Sequence, residues 1–234
     1  MSVIGNAKAR AGKVPAVRRT LYPAWDRYRF GRLGRYVSLS RRIPGWAAGD
    51  EGVELIYATR SLPPDAQVLV VGVFLGRAVV LMAGGLEDGN GGTVHCIDPF
   101  DGSGEDFSAP IYKAMLAEQP KPARARFEEY LRSAGLTDRV VTHEGMGEDF
   151  APSWSTPLDM LFLSADQSPE GARRLFEAFT PHVRPGGIVV VHNSEPGHVP
   201  GHDGNQLVAE HCVVPPEWVH KHRVRSMTFA RRAS

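Results

Sequence analysis

Gly72 and Gly76 stand four residues apart inside VLVVGVFLGRAVV, where one apolar run gives way to a helix-like one. Glycine tolerates left-handed backbone, so the chain can turn tightly there and present backbone N–H groups at the start of a helix. Many folds grip a nucleotide-like cofactor in this way. The spacing G-x-x-x-G is not the G-x-G-x-x-G of dinucleotide enzymes, which argues against a nicotinamide cofactor. Asp98 ends the next apolar run, and a carboxylate in that place can accept both hydroxyls of a ribose. Each feature has a plain alternative: a strand–helix turn with no ligand, and a solvated loop aspartate.

Two further residues could move a proton. His192 follows an apolar run and is a candidate general base, with a purely structural histidine as the alternative. Asp166 is a second candidate, its alternative being a helix-capping carboxylate. His198 and His202 are four apart in HVPGH, but Pro200 and Gly201 oppose a helix there. That stretch reads as a polar loop able to close over a substrate, not as a metal pair.

These residues sit at the ends of regular elements. Apolar runs of strand length cover 68–71, 93–97, 139–143, 158–163 and 188–191. Their near-continuous hydrophobicity suits strands covered on both faces, as in a parallel sheet. Helix-like stretches alternate with them. One covers 75–83; a second, ARARFEEYLRSAGL, puts Phe127, Tyr130, Leu131 and Ala134 on one face and stops at Gly135. A third, SPEGARRLFEAF, opens with Ser168 as N-cap and Pro169 in the first turn. The tail changes rhythm: 218–224 and 227–231 are strand-like and close enough to form an antiparallel hairpin at a sheet edge. The expected fold is α/β, a Rossmann-like, doubly wound, mostly parallel seven-stranded sheet with that C-terminal hairpin. Ligands of such sheets bind at the carboxyl ends of the strands, where Gly72, Asp98, Gly145, Met146, Ser164, Asp166 and His192 fall.

A chain of 234 residues with 42% hydrophobic content supports one sizeable core. Its formal charge of +1 is unevenly spread: residues 1–42 hold eleven lysines and arginines against Asp26 alone, so the remainder carries −9. The division expected is a basic, aromatic arm, 1–44, and a Rossmann-like domain, 45–234. Arginines interleaved with Tyr22, Trp25, Tyr28, Phe30 and Tyr36 can stack on bases and grip phosphates. They can equally meet an acidic second copy or cover a pocket. The basic stripe does not continue into the α/β part, so a homodimer or lid is favoured over nucleic acid. Cys96 and Cys212 have no paired or metal-type spacing, the usage of a reduced, cytoplasmic compartment. No apolar run reaches the ~18 residues that span a bilayer, and no secretory signal is apparent.

The segments GVFLGRAVV, HCIDPFDG and DMLFLSADQSPEGARRLFEAFTPHVRPGGIVVVHN, with the final hairpin, together resemble a class I S-adenosylmethionine-dependent methyltransferase. The nearest group is the small-molecule O-methyltransferases related to macrocin O-methyltransferase, and more distantly catechol O-methyltransferase. The likeness runs from about Gly45 to the C-terminus. It implies S-adenosylmethionine as cofactor and a small-molecule acceptor. It would put Gly72, Val73, Phe74 and Gly76, with Arg77 beside them, at the methionine end, and Asp98 at the ribose with Pro99 and Phe100 beside the adenine. Gly145 and Met146 would border the adenine from the other side, and Ser164 and Asp166 would face the methyl donor and acceptor.

Departures from the family are concentrated at charged positions. An acidic residue often precedes the first glycine by two places, where this chain has Val70. Metal-binding relatives keep aspartates where Ser164 and Asn193 stand, and some keep a basic residue in place of Gln167. Magnesium prefers oxygen ligands that include one or two carboxylates. Ser164, Asp166 and Asn193 offer at most one charge, so no metal is expected. Glutamine cannot hold a proton at pH 7. A base must come from elsewhere, with His192, Asp166 and Asn193 as the catalytic candidates. The joint departures also leave open a methyltransferase fold that only binds a ligand or catalyses a cyclisation or rearrangement.

Overall fold

The computed structural model describes residues 16–234. The first fifteen residues of the arm, with Lys8, Arg10 and Lys13, lie outside the described residues. Seven strands form one sheet: β1 (Ala66–Val71), β2 (Gly92–Asp98), β3 (Val140–Glu144), β4 (Leu158–Leu163), β5 (Val183–Val191), β6 (Trp218–Val224) and β7 (Met227–Arg232). Their order is β3-β2-β1-β4-β5-β7-β6. The first five run parallel, while β7 pairs antiparallel with both β5 and β6. This is the expected doubly wound sheet with its terminal hairpin.

Alternation along each central strand builds two cores. Val68 and Val70 face one layer with Phe127, Leu55 and Ile56, while Leu69 and Val71 face the other with Leu175, Phe176 and Phe179. Strands flanked by a layer on each side need apolar residues at every position, which is why they read as continuous runs. The edge strand β3 departs from that expectation: it pairs only with β2, and Val141 is 43% exposed.

Helix α1 (Ala16–Phe30), α2 (Gly34–Ser40), α3 (Asp50–Arg60), α4 (Arg77–Asp88), α5 (Ala109–Ala117), α6 (Ala123–Ala134), the single turn α7 (Gly147–Phe150), α8 (Pro169–Phe179) and α9 (Gly204–His211) complete the described elements of helical type longer than three residues. As expected, α6 stops at a left-handed Gly135. Ser168 caps α8, its Oγ accepting from the N–H of Gly171 at 3.1 Å. Helix α4 starts later and runs longer than the expected 75–83, because Gly76 holds a left-handed conformation just before it. Helices α1, α2, α5 and α9 and the single turn α7 were not anticipated. The second half of the arm is built into the core: Phe30, Leu33, Tyr36 and Val37 pack in the same cluster as Val79, Val80 and Ala83 of α4. Asp26 is fully buried and takes both N–H groups of the Arg41 fork at 3.1 and 3.0 Å.

The chain leaves β1 toward β2 and β3 but leaves β4 toward β5, so the winding reverses between the adjacent strands β1 and β4. A crevice must open at their carboxyl ends.

Candidate active site

The crevice is a cleft with about 1000 Å³ of empty space counted out to open solvent. Gly72, Val73, Phe74, Arg77, Asp98, Pro99, Phe100, Gly145, Met146, Ser164, Asp166 and His192 all line it. Two candidate residues do not. Gly76 lies beneath the cleft, and Asn193 points away, its Nδ2 donating to Gln167 Oε1 at 3.0 Å.

The glycine turn is held by Asp98. Its Oδ2 accepts the backbone N–H groups of Val73 at 2.6 Å and Phe74 at 2.9 Å, and its Oδ1 accepts that of Phe100 at 2.7 Å. The N–H groups expected to face a ligand are therefore engaged by a carboxylate of the protein, which would be costly to bury without them. Burial raises the Asp98 pKa above the ordinary carboxylate range, against the pull of the three N–H groups. The glycines answer close packing within the fold. Gly72 (φ +90°) has the Ser164 carbonyl 2.4 Å from where a Cβ would stand. Gly76 (φ +86°) has the Phe127 ring equally near. Phe74, at φ +56°, adopts left-handed backbone despite its side chain.

At the end of β4, Ser164 Oγ lies 2.8 Å from His192 Nδ1 at the end of β5. His192 is 4% exposed, and its Nε2 is buried with no hydrogen-bond partner among the described residues. Burial lowers its pKa below the ordinary histidine value, so it is neutral at pH 7. Asp166 Oδ1 accepts from the N–H of Ser168 at 2.8 Å, the capping contact considered as its alternative role. Arg77 is spent on backbone: its Nε donates to Ser40 O at 3.0 Å and its Nη1 to Gly45 O at 2.5 Å. It ties the arm to the glycine turn.

A divalent metal fits this donor set poorly. Ser164 is bonded to His192, Asn193 to Gln167, and Asp166 to a backbone N–H. No group of three or more His, Cys, Asp or Glu among the described residues is placed to hold a metal ion. A nucleoside fits better, with the cleft running from the glycine turn past Asp98 and Phe100 to Met146.

Sequence reasoning missed an aromatic wall. Trp46, Phe74 and Tyr112 line the cleft with ring centroids 5.5–5.7 Å apart. They come from the segment just after the arm, the glycine turn and α5, so no spacing announces them. The loop around Glu105 and Phe107 meets the HVPGH loop at one rim. Glu105 lies 3.5 Å from His202, Phe107 stacks on the His202 ring at 4.1 Å, and Glu195 lies 3.2 Å from His198.

Known proteins share this fold. A family model described as a methyltransferase domain matches residues 69–194. The cofactor-bound structure of Rv0187 from MTB is similar at a TM-score of 0.60 and 21% identity, covering 89% of this chain and 94% of its own. The O-methyltransferase TomG from Streptomyces achromogenes, in complex with SAM, gives 0.57 and 19% over 92% of this chain and 99% of its own. An O-methyltransferase from Bacillus cereus, in complex with SAH, gives 0.57 and 15% over 92% and 100%. At these identities the structures speak for the fold alone. The family match, centred on the cleft and spanning more than half the residues, says more: this chain belongs to the methyltransferase domain family, the S-adenosylmethionine-dependent transferases of class I fold.

Proposed function

We propose that the protein methylates an oxygen of a small biosynthetic molecule without a divalent metal, using His192 as the base. The observation that carries this reading is the 2.8 Å contact between His192 Nδ1 and Ser164 Oγ on the cleft wall. When bound, S-adenosylmethionine supplies an electrophilic methyl group on a sulfonium. Val73, Phe74, Asp98, Phe100 and Met146 would enclose it, and Ser164 would face the acceptor. As the acceptor oxygen is methylated, its proton passes to Ser164 Oγ while the serine proton passes to Nδ1 of His192. A neutral imidazole is needed for this, and burial keeps His192 neutral. Asn193 and Gln167, bonded to each other, would hold the strand end behind His192. Asp166 would keep the start of α8 in place.

The titration of S-adenosylmethionine and S-adenosylhomocysteine by calorimetry tests the cofactor. No heat from either would end the reading. Methyl-labelled cofactor then tests transfer. His192→Gln should lower kcat by about 10²–10⁴-fold, the usual worth of a general base, with S-adenosylhomocysteine affinity retained. Equal kcat in the variant would remove His192 from the chemistry.

The arm, residues 1–44, is read as a lid or dimerisation element attached to the catalytic domain, 45–234. Support comes from its exposed Trp25 and Tyr28 beside Arg27 and Arg29, facing a remainder of opposite charge. A cytoplasmic setting is proposed on the free thiols of Cys96 and Cys212. No helix among the described residues is long and apolar enough to cross a membrane.

A further inference from the structure

Arg77 is held in an unusual way for a charged side chain on the wall of a cleft. Both of its hydrogen bonds go to neutral main-chain carbonyls, from Nε to Ser40 O at 3.0 Å and from Nη1 to Gly45 O at 2.5 Å. Burial first and the neighbouring Arg41 second bring its pKa down to about 10, so it is still ionised at pH 7 and both donors stay in place. A planar guanidinium can meet two acceptors at once, where an ammonium is a single point of charge.

The segment it fastens has little else to fix it. Among the described residues, the main chain of 44–48 takes part in one hydrogen bond, the one from Arg77. Gly45 at φ +140° and Ala47 at φ +56° keep that chain out of helix and strand. Ala47 and Arg77 line both the cleft and a second, smaller hollow, so empty space borders the segment on more than one side. Trp46 follows the clamped carbonyl directly. Its ring stands 5.5 Å from that of Phe74 and, edge-on, 5.5 Å from that of Tyr112. Phe74 is itself fixed by the N–H it gives Asp98 at 2.9 Å. The cleft wall is thus pinned at two points, by Asp98 at the glycine turn and by Arg77 at the segment that carries Trp46.

We propose that Arg77 is a positioning residue for methyl transfer: by clamping the carbonyls of Ser40 and Gly45 it holds Trp46 against Phe74, and through that ring it sets how tightly the cofactor is retained. This rests on the cleft as the cofactor site and adds a residue that acts on the cofactor through another. Linkage requires the reverse effect as well, so bound cofactor must steady the 44–48 segment.

A double-mutant cycle, read by calorimetry of S-adenosylhomocysteine binding to the whole protein, tests this. Arg77→Met keeps an unbranched stem without the fork, and should weaken the affinity about tenfold, within the range usual for coupling between sites. Trp46→Ala should weaken it at least as much, and the pair no more than Trp46→Ala alone, since removing the ring removes what Arg77 acts through. Hydrogen exchange gives a local signature. Bound S-adenosylhomocysteine should slow the amides of residues 45–48 in the wild type, but not in Arg77→Met at saturation. The inference is overturned if Arg77→Met binds as the wild type does, or if those amides slow equally in it. It is overturned too if the two single losses add in the pair, as they would were Arg77 merely stabilising the fold. Wild-type amides that exchange at one rate with and without the ligand also overturn it, a test that stands should the variant not fold. A wild type that binds no S-adenosylhomocysteine would instead overturn the cofactor reading.

Discussion

Asp98 has more to do than a ribose contact requires. A carboxylate offers about four lone-pair directions, and three are taken by the N–H groups of Val73, Phe74 and Phe100. Both ends of the carboxylate are therefore committed to shaping the turn, and the capacity left for a sugar hydroxyl is small. This makes Asp98→Asn an informative change. The amide can accept at one end only, so its NH₂ must oppose either the Val73 and Phe74 pair or Phe100. Stability should fall by about 1–3 kcal/mol, the cost of leaving a buried donor unpaired, and S-adenosylhomocysteine affinity should fall with it. Urea unfolding with and without the ligand measures both; a variant of unchanged stability would mean the turn does not depend on the carboxylate. Most of the cleft was legible in the sequence because strand ends announce it: Gly72, Asp98, Met146, Ser164 and His192 each follow an apolar run. Trp46 and Tyr112 were not legible, because rings that meet across three distant segments leave no local pattern. The same holds for the turning of Asn193 toward Gln167, a side-chain choice made by two neighbouring loops.

Helix α4 shows why elements were easier to read than their seams. Its existence was marked by a continuous apolar stretch, as β1 and β4 were marked by theirs, but the expected 75–83 begins before the left-handed Gly76 and stops short of Asp88. The helices that were missed have weak or broken patterns. Helix α2 is only seven residues long and opens on Gly34, α5 opens on Ala109 and Pro110, and half the residues of α9 are polar. What fixes α2 is a contact: a Cβ on Gly84 would stand 2.4 Å from Cγ of Tyr36, which is 1% exposed. Gly84 therefore lets the arm lie flat on α4, behind the turn that Arg77 ties to Ser40 and Gly45. Gly84→Ala gains about 1 kcal/mol of helix propensity but overpacks the seam, at a cost of about 1–3 kcal/mol. The net expectation is a lower Tm together with faster proteolytic cleavage in residues 34–45. A variant that is more stable and equally resistant would show that the Tyr36 ring moves aside freely, and that the arm is held elsewhere.

Across the whole molecule, three histidines, His192 buried and His95 and His143 half-buried, lie in two separate places and respond to acid in the same direction. His192 closes the floor of the cleft. His95 and His143 touch on the sheet between β2 and β3, with Nδ1 and Nε2 3.3 Å apart, and Trp154 stands edge-on to both. Burial lowers all three pKa values, and for His95 the neighbouring His143 lowers it further. In the unfolded chain each would titrate near ~6.5. As pH falls below that value the unfolded chain takes up protons that the folded one refuses, so acid favours unfolding. Full stability is therefore present above ~6.5 and is lost progressively as pH falls toward the lowered folded values. Asp98 works in the opposite sense: its raised pKa makes the folded state the better proton acceptor, so as pH falls from that raised value to the ordinary carboxylate value of ~3.9 it offsets part of this loss. Scanning calorimetry should find Tm level from pH 8 to about 6.5 and falling below it. His95 Nε2 lies 3.1 Å from Gln67 Oε1, so His95→Gln, whose amide can still bond Gln67 while carrying no titrating ring, should flatten the fall without altering the plateau above it. A wild-type Tm that stays level down to pH 5 would mean these imidazoles accept protons where they stand, and it would also take away the physical ground for a neutral His192 at pH 7.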